Sequence, residues 1–320
     1  MKSKKDFLSI TDLSAKEIWQ VLEMAKKLKD ELKNKGKNKA LLIDKQMVML
    51  FEKPSLRTKL SFDIAMNQLG GHAVYFGSNE IGLGKRESVS DVSKVISSMA
   101  NVIVARVFSH RVLKELAKSS EVPVINALSD LEHPCQVLAD FMTIWEVKRK
   151  LEGLTLAYVG DGENNVVHSL VLGCTILGIN FNCAAPKGYW MNSEIVNKAK
   201  QLASKTGAKI MQTDKPQDGV KNADIVYTDT WISMGDESER NKRLKAFMNY
   251  QVNQELMSLV KPDAIFMHDM PVYRGNEATA EVIDASYSVV FEQAENRLHV
   301  QKALLWWLIK EKSPAKRQGI

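Results

Sequence analysis

The sequence predicts an α/β protein of two domains, each a parallel sheet flanked by helices. Short hydrophobic runs alternate with helical patterns through most of the chain. The length of 320 residues suits two ordinary domains at roughly 100–200 residues each. A fresh succession of strand and helix begins at Leu154, just after a long helical stretch, which puts the junction near residue 150.

Taken in order, Ser14 stands three residues before Glu17 and forms a capping box for the first helix. The lysine-rich stretch from Lys26 to Lys39 reads as a solvated helix face and loop. Gln46–Phe51 is a buried strand, Lys59–Leu69 a helix stopped by Gly70 and Gly71, and Ala73–Phe76 a second strand. Val102–Arg106 and Val122–Asn126 are two more strands, and Pro134–Lys150 is a long helix. In the second half the strands are Leu154–Val159, Phe181–Ala184, Lys209–Met211, Ile225–Thr228 and Ala264–Met267. A final helix over Arg297–Lys310 is apolar almost all round, which marks it for burial, one placement being between the halves.

Composition narrows the class. Hydrophobic content of 45% and charged content of 26% suit an ordinary globular core. The net charge of +6 is mild, and no basic segment interleaved with aromatics marks a nucleic-acid face. Cys135, Cys174 and Cys183 have neither paired nor metal-ligand spacing, so each is expected to be a small buried hydrophobe. There is no signal-peptide pattern at the start and no run near the ~18 apolar residues of a membrane span. The expectation is a soluble, reduced, cytoplasmic protein with no nucleic-acid or membrane partner.

Two segments carry chemistry. In Phe51–Lys59, Ser55, Arg57 and Thr58 lie where a strand gives way to a helix. Free N–H groups at a helix start, with hydroxyls on both sides of an arginine, make a phosphate cradle. An ordinary Ser-capped helix explains the same residues equally well. In Asp130–Asp140, His133 and Gln136 are three apart across a Pro-initiated helix start, so both can face one point. A neutral imidazole and an amide suit a carbonyl oxygen that gains charge. A lone histidine is more often structural; beside the first segment, the functional reading gains.

Together these segments resemble the aspartate/ornithine carbamoyltransferase family, whose members carry Ser-x-Arg-Thr followed by His-Pro-x-Gln. The resemblance runs along essentially the whole chain. Gly160–Asn165, Asp229–Gly235 and Phe291–Arg297 resemble, in order, three further segments of the family's ornithine branch. It implies two domains: residues 1–150, with the C-terminal helix of about 297–320 returning to them, for carbamoyl phosphate, and 151–296 for ornithine. It further implies that Ser55, Arg57, Thr58 and Arg106 hold the phosphate, and that His133, Gln136 and Arg297 hold the carbamoyl group. Asn165, Asp229, Ser233 and Met234 would hold the amino acid. Transfer would then run by direct attack of the δ-amine of ornithine, giving citrulline and phosphate. Neither metal nor cofactor is required, and the assembly implied is a homotrimer or a multiple of trimers.

Two residues depart from the family's pattern. Leu56 stands where the phosphate motif usually has a threonine, removing one hydroxyl. Asp269, in Met267–Pro271, stands where the ornithine branch has a cysteine beside the acceptor amine. With Asp229 and the donor-side Arg57, Arg106 and His133, Asp269 completes the expected catalytic set. A carboxyl group ordinarily titrates near pH ~4 and a thiol near ~8.5. Asp269 is therefore a substitute base, a selector for a different amine, or a sign of impaired activity. The rivals are a carbamoyltransferase for another amine, a non-catalytic relative, and a nicotinamide-dependent dehydrogenase. The last fails on Gly160-Asp161-Gly162, because Asn165 takes the place of the third glycine and no acidic residue ends the next strand.

Overall fold

The structure, a computed structural model, describes residues 4–84, 86–232 and 237–310. The chain forms two compact units. Met1–Leu138 with Arg297–Ile320 make the first, and Ala139–Asn296 the second.

The sheet of the first unit contains β1 (Gln46–Phe51), β2 (His72–Phe76), β3 (Val102–Arg106) and β4 (Val124–Leu128). The strand order is β2-β1-β3-β4, with every pair parallel. The order reverses between β1 and β3, and ligands of open α/β sheets bind beyond the strand ends at such a reversal. Phe51 and Arg106 are register partners there, so the loop after β1 and the end of β3 open side by side.

Local chemistry fixes the flanking helices. Ser14 accepts from the backbone of Glu17 and Glu17 answers to Ser14, starting the Ala15–Lys35 helix, which ends at Gly36 with φ of 68°. The next helix spans Leu56–Gln68, three residues earlier than the sequence suggests, because Ser55 is its cap and accepts from the Thr58 amide. The fourth strand starts at Val124 rather than Val122, since Pro123 has no N–H to give to the ladder. The last helix runs over Val290–Lys310, seven residues longer at its start than expected. Its far half is buried in the first unit. There Lys302 Nζ donates to Asn38 Oδ1 at 2.6 Å and Gln68 Oε1 at 2.9 Å, and Trp307 Nε1 donates to Gln20 Oε1 at 3.4 Å.

The sheet of the second unit contains β5 (Thr155–Val159), β6 (Asn180–Ala184), β7 (Ile210–Thr213), β8 (Ile225–Thr228) and β9 (Ile265–His268). It is again all parallel, in the order β7-β6-β5-β8-β9, reversing between β5 and β8. Beyond β5 comes the Gly160-Asp161-Gly162 turn, and beyond β8 comes Asp229. A side chain at Gly162 would sit 2.6 Å from the Tyr189 carbonyl oxygen, so close backbone approach accounts for this glycine. Cys135, Cys174 and Cys183 are all free and buried. Among the described residues no helix is long and apolar enough to cross a membrane.

Candidate active site

The first unit gathers every donor-side residue expected from the sequence. Ser55 caps its helix and donates its hydroxyl to Thr58 Oγ1 at 3.0 Å. Arg297, arriving on the last helix, donates from Nη2 to the same Thr58 oxygen at 2.6 Å. Arg57 occupies the first turn and is half-buried, while Arg106 closes β3 with only 5% exposure. A helix start, two hydroxyls and buried guanidinium groups make this end of the sheet electropositive and rich in donors, as a phosphate requires.

His133 and Gln136 flank the start of the Pro134–Lys148 helix, where the Gln136 amide donates to the His133 carbonyl at 3.1 Å. Both side chains are buried. Burial, reinforced by the Arg297 and Arg106 charges, holds the His133 imidazole well below its ordinary pKa of 6.5. It is therefore neutral at physiological pH and can donate one hydrogen bond without bringing in a third cation. Cys135, between them, has its thiol pushed up by burial to about 12 and donates to the Asn126 carbonyl at 3.3 Å, a structural role.

The second unit holds the expected acceptor-side residues Asn165, Asp229 and Asp269. Asp229 is buried beyond β8; its Oδ1 accepts from the Thr230 amide at 2.6 Å. Its Oδ2 accepts from Asn164 Nδ2 at 2.7 Å. Asn164 is thus the asparagine that orients Asp229, while Asn165 is half-buried at the first helical position. The signal was there in the sequence: the first of two asparagines at a strand-to-helix turn is the natural cap, and Asn164 accepts from the Val166 amide at 2.7 Å. Ser233 and Met234 lie outside the described residues.

Asp269 follows β9. The preceding His268 is clamped on three sides. Its amide donates to Gln293 Oε1 at 2.9 Å, its Nδ1 accepts from the Met270 amide at 2.9 Å, and its Nε2 lies 3.2 Å from Glu277 Oε1. Because Nδ1 accepts, the ring N–H is the one on Nε2, facing the glutamate. Nδ1 then has no proton to offer Asp269 Oδ1, 3.5 Å away. Asp229, His268 and Asp269 bring one ligand atom each within 4.8 Å of one another. One cation, an ammonium group or a metal ion, can touch groups at that spacing.

Comparison with known proteins decides the lineage. The family model described as "Aspartate/ornithine carbamoyltransferase, carbamoyl-P binding domain" matches residues 5–146. Its companion, the "Asp/Orn binding domain", matches residues 152–308. The chain belongs to the aspartate/ornithine carbamoyltransferase family. Within that family, the ornithine carbamoyltransferase of Methanosarcina acetivorans is 51% identical over 307 residues, 96% of this chain and 100% of its own. That of Methanosarcina mazei is 50% identical over the same shares. The solved structure of ornithine carbamoyltransferase from Pyrococcus furiosus superposes with a TM-score of 0.92 at 46% identity, over 95% of this chain and 96% of that one. Viewed as a carbamoyltransferase, the chain carries Ser55, Arg57, Thr58, Arg106, His133 and Gln136 in the stretch matched by the first family model. Arg297 falls in the stretch matched by the second, yet folds into the first unit.

Proposed function

We propose that the chain transfers the carbamoyl group of carbamoyl phosphate to the δ-amine of L-ornithine, forming citrulline and phosphate. The observation that carries the donor half is the contact between Arg297 and Thr58, residues 239 positions apart that meet at 2.6 Å beside the Ser55 cap. A guanidinium delivered by the last helix to a helix start that already offers free amides serves an anion better than it serves stability.

In this reading Ser55, Arg57, Thr58 and Arg106 bind the phosphate. Neutral His133 and Gln136 hold the carbamoyl group, and Arg297 supports both. The unprotonated δ-amine attacks the carbamoyl carbon, a C–N bond forms, and the carbonyl oxygen gains charge. That oxygen takes a hydrogen bond from the His133 imidazole, and the C–O bond to phosphate then breaks as the amine loses its proton. Asp229, oriented by Asn164, pairs with the α-ammonium group. Asn165, Ser233 and Met234 serve the α-carboxylate. Asp269 faces the δ-nitrogen as charge partner and proton acceptor, in the role of the family's cysteine.

The assembly we propose is a homotrimer in the cytoplasm. Its support is apolar surface in the first unit: Leu56 and Leu60, four apart on one helix, are 78% and 54% exposed, and Val95 and Met99, likewise paired, are 54% and 74% exposed. The mass of the particle in solution tests this.

Initial rates with carbamoyl phosphate and, in parallel, ornithine, lysine, putrescine, acetylornithine and aspartate test the activity. Saturable citrulline formation well ahead of the other acceptors is expected. A different winning amine would make Asp269 the selector. No transfer to any acceptor, with carbamoyl phosphate still bound, would leave a binding protein in place of an enzyme.

A further inference from the structure

Resting on that reading, we infer that the buried Asp161–Arg243 ion pair is a positioning element for acceptor binding, holding Thr230–Ile232 against the Gly160–Asn164 turn. The two side chains meet at 2.7 Å with only 3% and 8% of their surface exposed. The Arg243 guanidinium also donates to the Trp231 carbonyl at 3.3 Å and lies 5.3 Å from the centre of the Tyr189 ring. Phe247, one turn further along the Arg240–Phe247 helix, stacks on Trp231 at 5.9 Å and lies 4.8 Å from Tyr189.

These contacts close a ring around Asp229. From Asp161 the path runs through Arg243 to the Trp231 carbonyl, back along two residues of chain to Asp229, then through its 2.7 Å bond to Asn164, three residues from Asp161. The acceptor carboxylate is thus held on both sides by one short turn. Neither Asp161 nor Arg243 belongs to the expected set of substrate ligands.

The balance of charge argues that this pair is not kept for stability. Burial raises the Asp161 carboxyl to about 6 in spite of the Arg243 charge and hydrogen bond, with Glu163 adding to the rise. Glu239 Oε2 stands 3.7 Å from Arg243 Nε, while the buried Tyr158 and Cys183 face the Asp161 charge from the sheet. Ionised Asp161 is therefore costly, and such groups cluster where geometry matters to function. The sign is definite. Above about pH 6 the carboxylate is charged and the tie is at full strength; below it the acid is neutral and the tie weakens.

The test compares wild type with Asp161→Asn, Arg243→Met and Arg243→Lys. Amide hydrogen exchange of Thr230–Ile232 and of the 240–247 helix, corrected for the intrinsic pH effect, should show protection in wild type at pH 7.5 that falls near pH 6. In Asp161→Asn, protection should be low and flat with pH. In kinetics at pH 8, the KM for ornithine should rise roughly tenfold or more in the Asn and Met variants, the loss of one charged hydrogen bond, with the KM for carbamoyl phosphate unchanged. Arg243→Lys should recover part of it. L-norvaline, which is ornithine without its δ-amine, should inhibit wild type less strongly below pH 6 and Asp161→Asn without that step. Equal exchange in wild type and Asp161→Asn overturns the inference. So do altered exchange with an unmoved KM for ornithine, and a parallel rise in both KM values. If wild type shows no transfer to ornithine, the proposed activity falls, and the exchange measurement still decides whether the tie exists.

Discussion

Replacing Arg297 by methionine removes a charge that is 97% hidden from solvent, since the residue is 3% exposed, while keeping most of the apolar stem. The hydrogen bond lost is the 2.6 Å contact to Thr58, with a charged donor in a buried setting. In the proposed reading Arg297 also supports the bound carbamoyl phosphate, and a charged hydrogen bond to a ligand contributes about 1.5–3 kcal/mol, roughly 10–150-fold in affinity. The KM for carbamoyl phosphate should rise by that factor in citrulline assays at saturating ornithine, with the KM for ornithine within about twofold of wild type. A second readout comes from His133. Its imidazole is held down first by burial, then by the Arg297 charge, then by Arg106. A histidine buried neutral contributes stability that is present above the unfolded pKa near 6.5 and is lost as pH falls below it. In Arg297→Met the folded imidazole protonates more easily, so the acid loss seen by urea unfolding should level off at a higher pH than in wild type. An unchanged KM for carbamoyl phosphate, together with an unchanged acid loss, would refute the placing of Arg297 at the donor end.

Other outcomes follow from single residues. Leu56→Thr should lower the KM for carbamoyl phosphate by about two- to tenfold, the worth of one added hydrogen bond of ~0.5–1.5 kcal/mol, seen in initial rates. If Asp269 serves the acceptor amine as proposed, Asp269→Asn should drop kcat by on the order of a hundredfold, as for loss of a general base, with carbamoyl phosphate binding by calorimetry intact. Asp161, whose carboxyl is raised from 3.8 to about 6, contributes stability that is full below the unfolded value and lost as pH rises through the folded one. Wild type should therefore lose on the order of 3 kcal/mol relative to Asp161→Asn between pH 4 and pH 7, measured by denaturant unfolding at each pH.

Most of the fold was legible because each element announces itself locally. The Ser14–Glu17 box and the Gly36 stop bound one helix through contacts within a turn, and the alternation of buried strands with helices leaves little choice but parallel sheets. Errors fell where a boundary depends on one atom, such as the N–H that Pro123 lacks. The candidate donor residues were legible in part, because Ser55, Arg57, Thr58, His133 and Gln136 crowd into two short segments at helix starts. Three-dimensional facts were not. Capping picks out Asn164 over Asn165 locally, but that its amide reaches Asp229 depends on where β8 ends relative to the turn. Arg243 reads as one cation among several in a basic helix; only folding brings it to Asp161, 82 positions away. Arg297 was found through resemblance, and its approach to Thr58 depends on a helix returning from the far end of the chain.

The fate of the sulfur atoms has a consequence for exposure to oxidants and electrophiles. All three cysteines are buried, with thiols raised by burial, Cys135 to about 12 and the other two well above the ordinary thiol value. The thiolate is the form that peroxide and alkylating reagents attack, and at neutral pH these side chains supply almost none. In the proposed reading, the group beside the acceptor amine is the Asp269 carboxylate, in place of the cysteine that the family resemblance implies. If the proposed set holds, a cell could lose its reducing power without losing the step, since no thiol takes part in the transfer.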